Sequence, residues 1–464
     1  MLDRRWIFAL IALAILSRVA AVLVLQSHTV PRSTYEHGEI AANLLAGRGF
    51  SIRLLGAEGP TSQQAPVYPL LVAAAYALGG VETPRSLLIL QLGQAALGGL
   101  LGASVLALAL EVAPGRPRIA ILAALVVALH PSLVYAATHV QVGLLAATLL
   151  TTSMALAYRT GRMGQLRDAV WTGLSLAALV LTDPILGLVA PASALAIVQG
   201  VGFRRAGLLV SVVALVSVLG VAPWIARNHA VHGEPVFIKS TFGYAFWQGN
   251  CRISMGTDKV VRPSVDRLLK DHDGSLPGRN RALWAARHEA GYIDDIALSP
   301  ADLRKLGTLS EPERSRVLFR TALEDLQADL LRYPALCLRR LQAFVFFDET
   351  NPKTRNPVYR AGHLALTIFS VVGWILMGRD LRRRLAPTAL AAALIALFHT
   401  LTIVSARFHI PIEPLLALWG ASALAFGSGR TAGFPRICLR PDAPAAIQEA
   451  KGSNLSKRAE AIAT

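Results

Sequence analysis

About ten long apolar segments lie between Arg4 and Ala425, and a polar block of roughly 130 residues interrupts them late in the chain. The first, Trp6–Leu25 (WIFALIALAILSRVAAVLVL), has the ~20 residues that a helix needs to cross about 30 Å of hydrocarbon. Similar runs follow at about 86–110, 119–136, 138–158, 169–182, 184–199, 206–226, 358–377, 386–405 and 411–428. A bilayer offers no water to backbone N–H and C=O groups, so such segments must satisfy them internally as helices. Hydrophobic residues make up 53% of the chain and charged residues 16%, more apolar surface than a water-soluble domain needs. The pattern predicts an all-α polytopic membrane protein with about ten transmembrane helices.

The formal charge of +17 does not imply nucleic acid, because its placement follows membrane topology. If the first helix leaves the cytoplasm, the cytoplasmic pieces are 1–5, 111–118, 159–168, 200–205, 378–385 and the tail from 429. They hold 19 Lys+Arg against seven acids. The short loops opposite hold only Arg32, Arg48, Arg53, Arg85 and Arg407, as the positive-inside bias requires. Both termini are therefore expected inside. The block 227–357 is expected outside; its 20 basic and 16 acidic residues are too balanced for a nucleic-acid surface. Arg18 interrupts the first apolar run and no A-x-A site follows it, which favours an uncleaved anchor over a signal peptide. With 39 Arg, seven Lys and abundant Ala, the composition suggests a GC-rich bacterial genome and hence the inner (plasma) membrane.

Four parts follow. Residues 1–226 form an N-terminal module of seven membrane helices, with a long first outer loop at 26–84. Residues 227–357 form a mostly helical extracytoplasmic segment, 358–428 the last three membrane helices, and 429–464 a disordered tail. The first loop reads as two juxtamembrane helices, Tyr35–Ala46 closed by Gly47 and Gly49, and Pro66–Leu78 closed by Gly79 and Gly80. In the outer segment, Ser310 and Glu313 form a capping-box pattern that starts a helix to about Tyr333. Cys251 and Cys337 both fall outside and could pair. His229 and His232 are a weak pair without partners, and no metal-ligand cluster stands out.

Residues that could carry chemistry crowd the outer loops. Glu36 and Glu39 share one face of the first loop helix at i and i+3. A carboxylate in a partly desolvated cleft beside the bilayer can act as a general base, although a solvated helix face has the same pattern. Arg407 and His409 occupy the short turn SARFHIPIEP (Ser405–Pro414), where a forked guanidinium suits a phosphate or snorkels to lipid headgroups. Arg227 stands at the exit of helix seven with the same two readings, and Lys239 lies in the loop beyond it. Arg18, inside an apolar helix, reads as a bundle-facing structural charge. Asp183 marks an outer turn before Pro184.

The stretches TYEHGEIAANLLAGRGFS (Thr34–Ser51), TSQQAPVYPLLVA (Thr61–Ala73), APWIARNHAVHGEPVFIKSTFGYAFWQGN (Ala222–Asn250) and ARFHIPIEP (Ala406–Pro414) together resemble the GT-C superfamily of integral-membrane glycosyltransferases. The branch resembled contains protein O-mannosyltransferases and the lipid A aminoarabinose transferase. The resemblance spans roughly residues 5–428. It implies an inverting glycosyltransferase that moves a sugar from a polyprenyl-phosphate carrier to an unknown envelope acceptor on the outer face. It implies Glu36 as the catalytic base with Glu39 in reserve, and Arg227 and Arg407 as carrier-phosphate contacts. Tyr35, Gln64, Lys239, His409 and Trp247 complete the expected substrate set, Trp247 with Trp224 and Tyr244 as stacking surfaces for sugar. Glu36 lacks the adjacent second acid common in the family, and Asp183 stands where a basic residue is usual. No cofactor is implied, because a lone carboxylate gives no support for a divalent metal. Besides donor and acceptor, the expected partner is membrane lipid, not nucleic acid. The competing classes are a lipid or polysaccharide transporter and a non-catalytic scaffold of the same fold.

Overall fold

The computed structural model describes residues 3–31 and 33–425. The expected disordered tail at 429–464 and the basic residue Arg32 lie outside the described residues. The first half comprises α1 (Arg4–Leu25), α2 (Tyr35–Leu45), the hairpin β1 (Ser51–Leu54) and β2 (Ala57–Pro60), and α3 (Val67–Gly79). It continues through α4 (Pro84–Val112), α5 (Pro117–Leu129), α6 (Pro131–Tyr135), α7 (Gly143–Met163), α8 (Leu166–Val180), α9 (Ala190–Val201) and α10 (Phe203–His232). The polar block holds α11 (Phe242–Asn250), β3 (Lys259–Val260), α12 (Ser264–Lys270), α13 (Leu276–Glu289), β4 (Gly291–Tyr292), α14 (Ile293–Ala297), α15 (Pro300–Gly307), α16 (Glu311–Ala328) and α17 (Arg332–Val345). The chain returns through α18 (Pro357–Leu376), α19 (Arg379–Leu401) and α20 (Glu413–Ala421).

Each of the ten apolar runs contains helix, and the all-α polytopic architecture holds. The span count is lower than expected. Among the described residues six helices are long and apolar enough to cross a membrane, or seven if the bent pair α5 and α6 is one span. The helix α7 is one of the apolar runs outside that set. It packs against α4, α8 and α9 and is buried on most sides, so its surface need not suit lipid. It carries Thr148, Thr151 and Thr152, whose hydroxyls donate to carbonyls four residues back at 2.8 Å each.

Both juxtamembrane helices of the first loop are present, joined by the antiparallel hairpin β1–β2. Ser310 caps α16 through the reciprocal box with Glu313, but that helix stops at Ala328 and α17 restarts at Arg332. The membrane helix α10 runs on to His232, past the expected exit at 226, because Arg227 and Asn228 on its last turns are anchored to the first loop. Cys251 and Cys337 are free thiols.

The bundle is organised around a break. Pro131 has no N–H, so the carbonyl of Val127 loses its helical donor, and the chain bends by 52° between α5 and α6. Arg18 of α1 fills the gap: Nη2 donates to Val127 O at 3.1 Å, and Nη1 donates to Ala128 O at 3.2 Å and Ala14 O at 2.9 Å. Ser17 Oγ adds a bond to Ala128 O at 2.8 Å. The guanidinium is fully buried, and a Cβ on Gly98 of α4 would stand 2.1 Å from Arg18 Cδ. Only glycine leaves room there. Replacing Arg18 by Leu strands the buried Val127 carbonyl, while Ser17 Oγ still reaches Ala128 O, and should cost about 1–3 kcal/mol. Thermal unfolding of the purified protein in detergent measures it; an unchanged midpoint would remove Arg18 from this role.

Candidate active site

The first loop, the polar block and the turn before α20 meet at one end of the bundle, called here the loop face. The backbone at Tyr35 has φ +50°, a left-handed conformation that a tyrosine adopts only under restraint. Its ring packs against Trp284 of α13 at 6.2 Å between centroids. That turn sets Glu36 in the first turn of α2, where the helix dipole favours a negative charge. Glu36 is half-buried and makes no hydrogen bond or ion pair with the described residues. Glu39, one turn on, accepts the Arg53 backbone N–H at 2.7 Å and so pins β1 to α2. The two acids of one helix face thus have different employment.

A second clamp fixes the stretch Thr61–Gln64. Glu311, at the start of α16, accepts from Thr61 Oγ1 at 2.5 Å, Ser62 N at 2.8 Å and Ser240 Oγ at 2.5 Å. From α10, Arg227 donates to Thr61 O at 2.6 Å and Phe50 O at 3.1 Å, and its guanidinium lies 4.8 Å from the Trp224 ring. His232 reaches Ser62 Oγ at 2.8 Å, so it is not the partnerless loop residue expected. The clamp presents Gln64, whose Oε1 accepts from Lys239 Nζ at 3.2 Å.

Lys239 is the electrostatic focus. Burial pulls its ammonium below the usual range; Asp183 and Glu36 oppose that pull, and Arg407 adds to it. Burial, then Lys239 and Arg407, push the His37 imidazole down to about 3, so His37 is neutral at physiological pH. For Asp258, burial works against ionisation, but Lys259 at 3.0 Å and the field of Arg407 hold the carboxyl below its ordinary value. The Tyr244 hydroxyl is raised by burial and then by Asp294 and Glu36. The fields of Glu36, His37, Lys239, Asp183, Asp258 and Arg407 therefore overlap in one region.

The turn carrying Arg407 is fastened from three sides. Val404 N–H donates to Gly256 O at 3.1 Å, Ala406 N–H to Asp348 Oδ2 at 3.2 Å, and Arg340 Nε to Thr400 O at 2.7 Å. Its own guanidinium is exposed, 5.5 Å from the Phe408 ring, and makes no hydrogen bond or ion pair with the described residues. A rigid turn presenting an unengaged forked cation is suited to an oxyanion.

Of the residues singled out from sequence, Glu36, Lys239, Gln64 and Arg407 come together, with Tyr35 behind Glu36. Arg227 and Glu39 are engaged in the clamps. Trp247 is buried in the core of the polar block, and His409 is buried beside Tyr359 and Glu413, turned from Arg407. Sequence reasoning missed His37, Asp258 and Glu311. His37 follows Glu36 directly, but nothing local to Asp258 or Glu311 announces a partner some 150–250 residues away.

No protein-family model matches the chain, and no curated protein does. Solved structures do. An oligosaccharyltransferase from Archaeoglobus fulgidus, tethered with an acceptor peptide, matches with TM-score 0.51 and 14% identity over 91% of this chain. The chain shares the fold of that oligosaccharyltransferase structure. A second structure of the archaeal oligosaccharyltransferase AglB, in complex with an inhibitory peptide and a dolichol-phosphate, gives 0.49 at 16% identity. ArnT from Cupriavidus metallidurans, bound to undecaprenyl phosphate, gives 0.41 at 14% identity over 91% of this chain and 78% of its own. The chain spans about half the length of the two oligosaccharyltransferase structures it matches, 50% of each. On this fold the region around Glu36, Lys239 and Arg407 is the candidate active site.

Asp348, which holds the Arg407 turn, offers a pH test. Burial, then the charge of Asp258, raise its carboxyl to about 6, above the ~3.9 of an unfolded aspartate. The folded state therefore keeps this proton to higher pH than the unfolded one. Its contribution is fully present below pH ~4 and is lost as pH rises through about 6, with a magnitude on the order of 3 kcal/mol. Relative to Asp348→Asn, the wild-type protein should lose thermal stability across that window; parallel pH profiles would refute the assignment.

Proposed function

We propose that this protein is an inverting glycosyltransferase that moves a sugar from a polyprenyl-phosphate carrier to an acceptor on the extracytoplasmic face of a bacterial inner membrane. Both termini then lie in the cytoplasm and the loop face lies outside. The observation that carries the reading is the half-buried Glu36 carboxylate, unengaged among the described residues, in the shared field of Lys239. The GT-C fold, shared with an oligosaccharyltransferase, supports the transferase class by analogy.

In this reading Glu36 accepts the proton of the acceptor hydroxyl or amine as that atom attacks the anomeric carbon. The bond from that carbon to the carrier phosphate breaks on the opposite side, and its electron pair leaves with the phosphate. Arg407 and Lys239 stabilise the charge that grows there. Gln64 holds Lys239, and the clamp built by Arg227 and Glu311 holds Gln64. Neutral His37 adds no further charge and can bond a sugar hydroxyl. Apolar grooves between the helices take the prenyl chain.

Glu36→Gln should lower transfer at least 100-fold, within the 10²–10⁴ range of general-base catalysis, without lowering the amount of folded protein. Glu39→Gln should retain substantial activity, and Arg407→Ala should raise the donor KM. Mass spectrometry of lipid-linked sugars and envelope glycans, in cells with and without each variant, gives the readout. Normal glycans with Glu36→Gln would sink the assignment.

A further inference from the structure

Four side chains from three separate regions converge inside the bundle, apart from the region around Glu36. His130 sits at the break between α5 and α6, His363 on α18, and His409 and Glu413 at the start of α20. All four are buried. The close approach of α18 to α6 depends on Gly362, where a Cβ would lie 2.8 Å from Pro131 Cγ.

The three imidazoles are oriented alike. His130 Nε2 is 3.3 Å from Gly362 O, His363 Nε2 is 2.9 Å from Val345 O, and His409 Nε2 is 2.8 Å from the Tyr359 hydroxyl. A ring nitrogen that faces a carbonyl must carry the hydrogen, so in neutral His130 and His363 the Nδ1 atom is a lone pair. All three Nδ1 atoms and both Glu413 oxygens are buried without a hydrogen-bond partner. They nevertheless face one another. His409 Nδ1 is 2.9 Å from Glu413 Oε1 and His130 Nδ1 is 3.3 Å from Glu413 Oε2, and ligand atoms of His363, His409 and Glu413 lie within 4.8 Å of one another.

The His130 lone pair, directed at this buried carboxylate, repels it unless a cation stands nearby. Lys353 does not serve: its Nζ lies 4.7 Å from the Tyr359 ring centroid and forms no ion pair with Glu413. Protonating the rings would place several imidazolium charges in an apolar interior, whereas one divalent ion can be shared by His363, His409 and Glu413. Outer Nε2 bonds to carbonyl or hydroxyl oxygens are the arrangement that orients histidine ligands. Two imidazole nitrogens and one carboxylate supply three corners of a tetrahedral ion of borderline softness, with bonds of about 2.0–2.2 Å.

We propose that His363, His409 and Glu413 bind a single divalent transition metal of the zinc class, with His130 against the Glu413 carboxylate, as a structural brace within the bundle. No metal-ligand cluster stands out in the linear sequence; the grouping exists only in the fold. The brace is not the catalytic centre. It ties the broken span and α18 to the segment that carries Arg407, two residues before His409.

The test uses the full-length protein in detergent, stripped with a chelator, reloaded with zinc chloride and desalted. Elemental mass spectrometry should find about one zinc per chain, and the thermal midpoint should rise on reloading. Cobalt in place of zinc should give the visible absorption of a tetrahedral site. Glu413→Gln and His363→Asn should abolish retention. Tyr359→Phe, which leaves every ligand in place, should weaken affinity about 10–100-fold. Wild-type protein that retains no zinc after reloading, with an unchanged midpoint, would overturn the proposal and leave protons as the cations in the cage. Metal content is read without any transfer assay, so failure here leaves the glycosyltransferase reading untouched, and the converse also holds.

Discussion

A proline-broken helix is the constraint on which the rest of the bundle depends. In an apolar interior an unpaired carbonyl costs more than in water, so the break at Pro131 requires a donor from elsewhere. Arg18 is that donor, and Gly98 is the space it occupies. The same break exposes His130 to α18 and α20. One local defect in helix geometry thus explains two buried polar assemblies and the order in which α1, α4, α5 and α18 pack.

At the loop face, charged residues divide between holding and facing. Arg227, Glu311 and Glu39 spend their hydrogen-bonding capacity on backbone and hydroxyl groups of the first loop. Glu36 and Arg407 do not. A group already satisfied by its surroundings has little left for a substrate, whereas an unsatisfied one on a fixed scaffold is preorganised for it. This distinction, more than proximity, separates candidate chemistry from architecture.

Much of the architecture was legible in the linear pattern. Apolar run length marked the membrane helices, Gly47 and Gly80 marked the ends of α2 and α3, and Ser310 with Glu313 marked the start of α16. Each of these signals acts over a few residues. Hydropathy registers an apolar run without registering whether lipid or protein surrounds it, so run length alone does not fix the number of spans. The hairpin β1–β2 was missed because four-residue strands leave almost no periodicity.

What the sequence determined by itself was the class of solvent, the helical composition and the side on which polar residues gather, since hydropathy and charge act segment by segment. Only the tertiary structure decided which of Glu36 and Glu39 remains unengaged, that Arg227 is a clamp, and that His363, His409 and Glu413 come together with His130 against the Glu413 carboxylate. Those outcomes depend on contacts between residues up to some 280 positions apart. Helix packing fixes such contacts, and no short-range pattern encodes them.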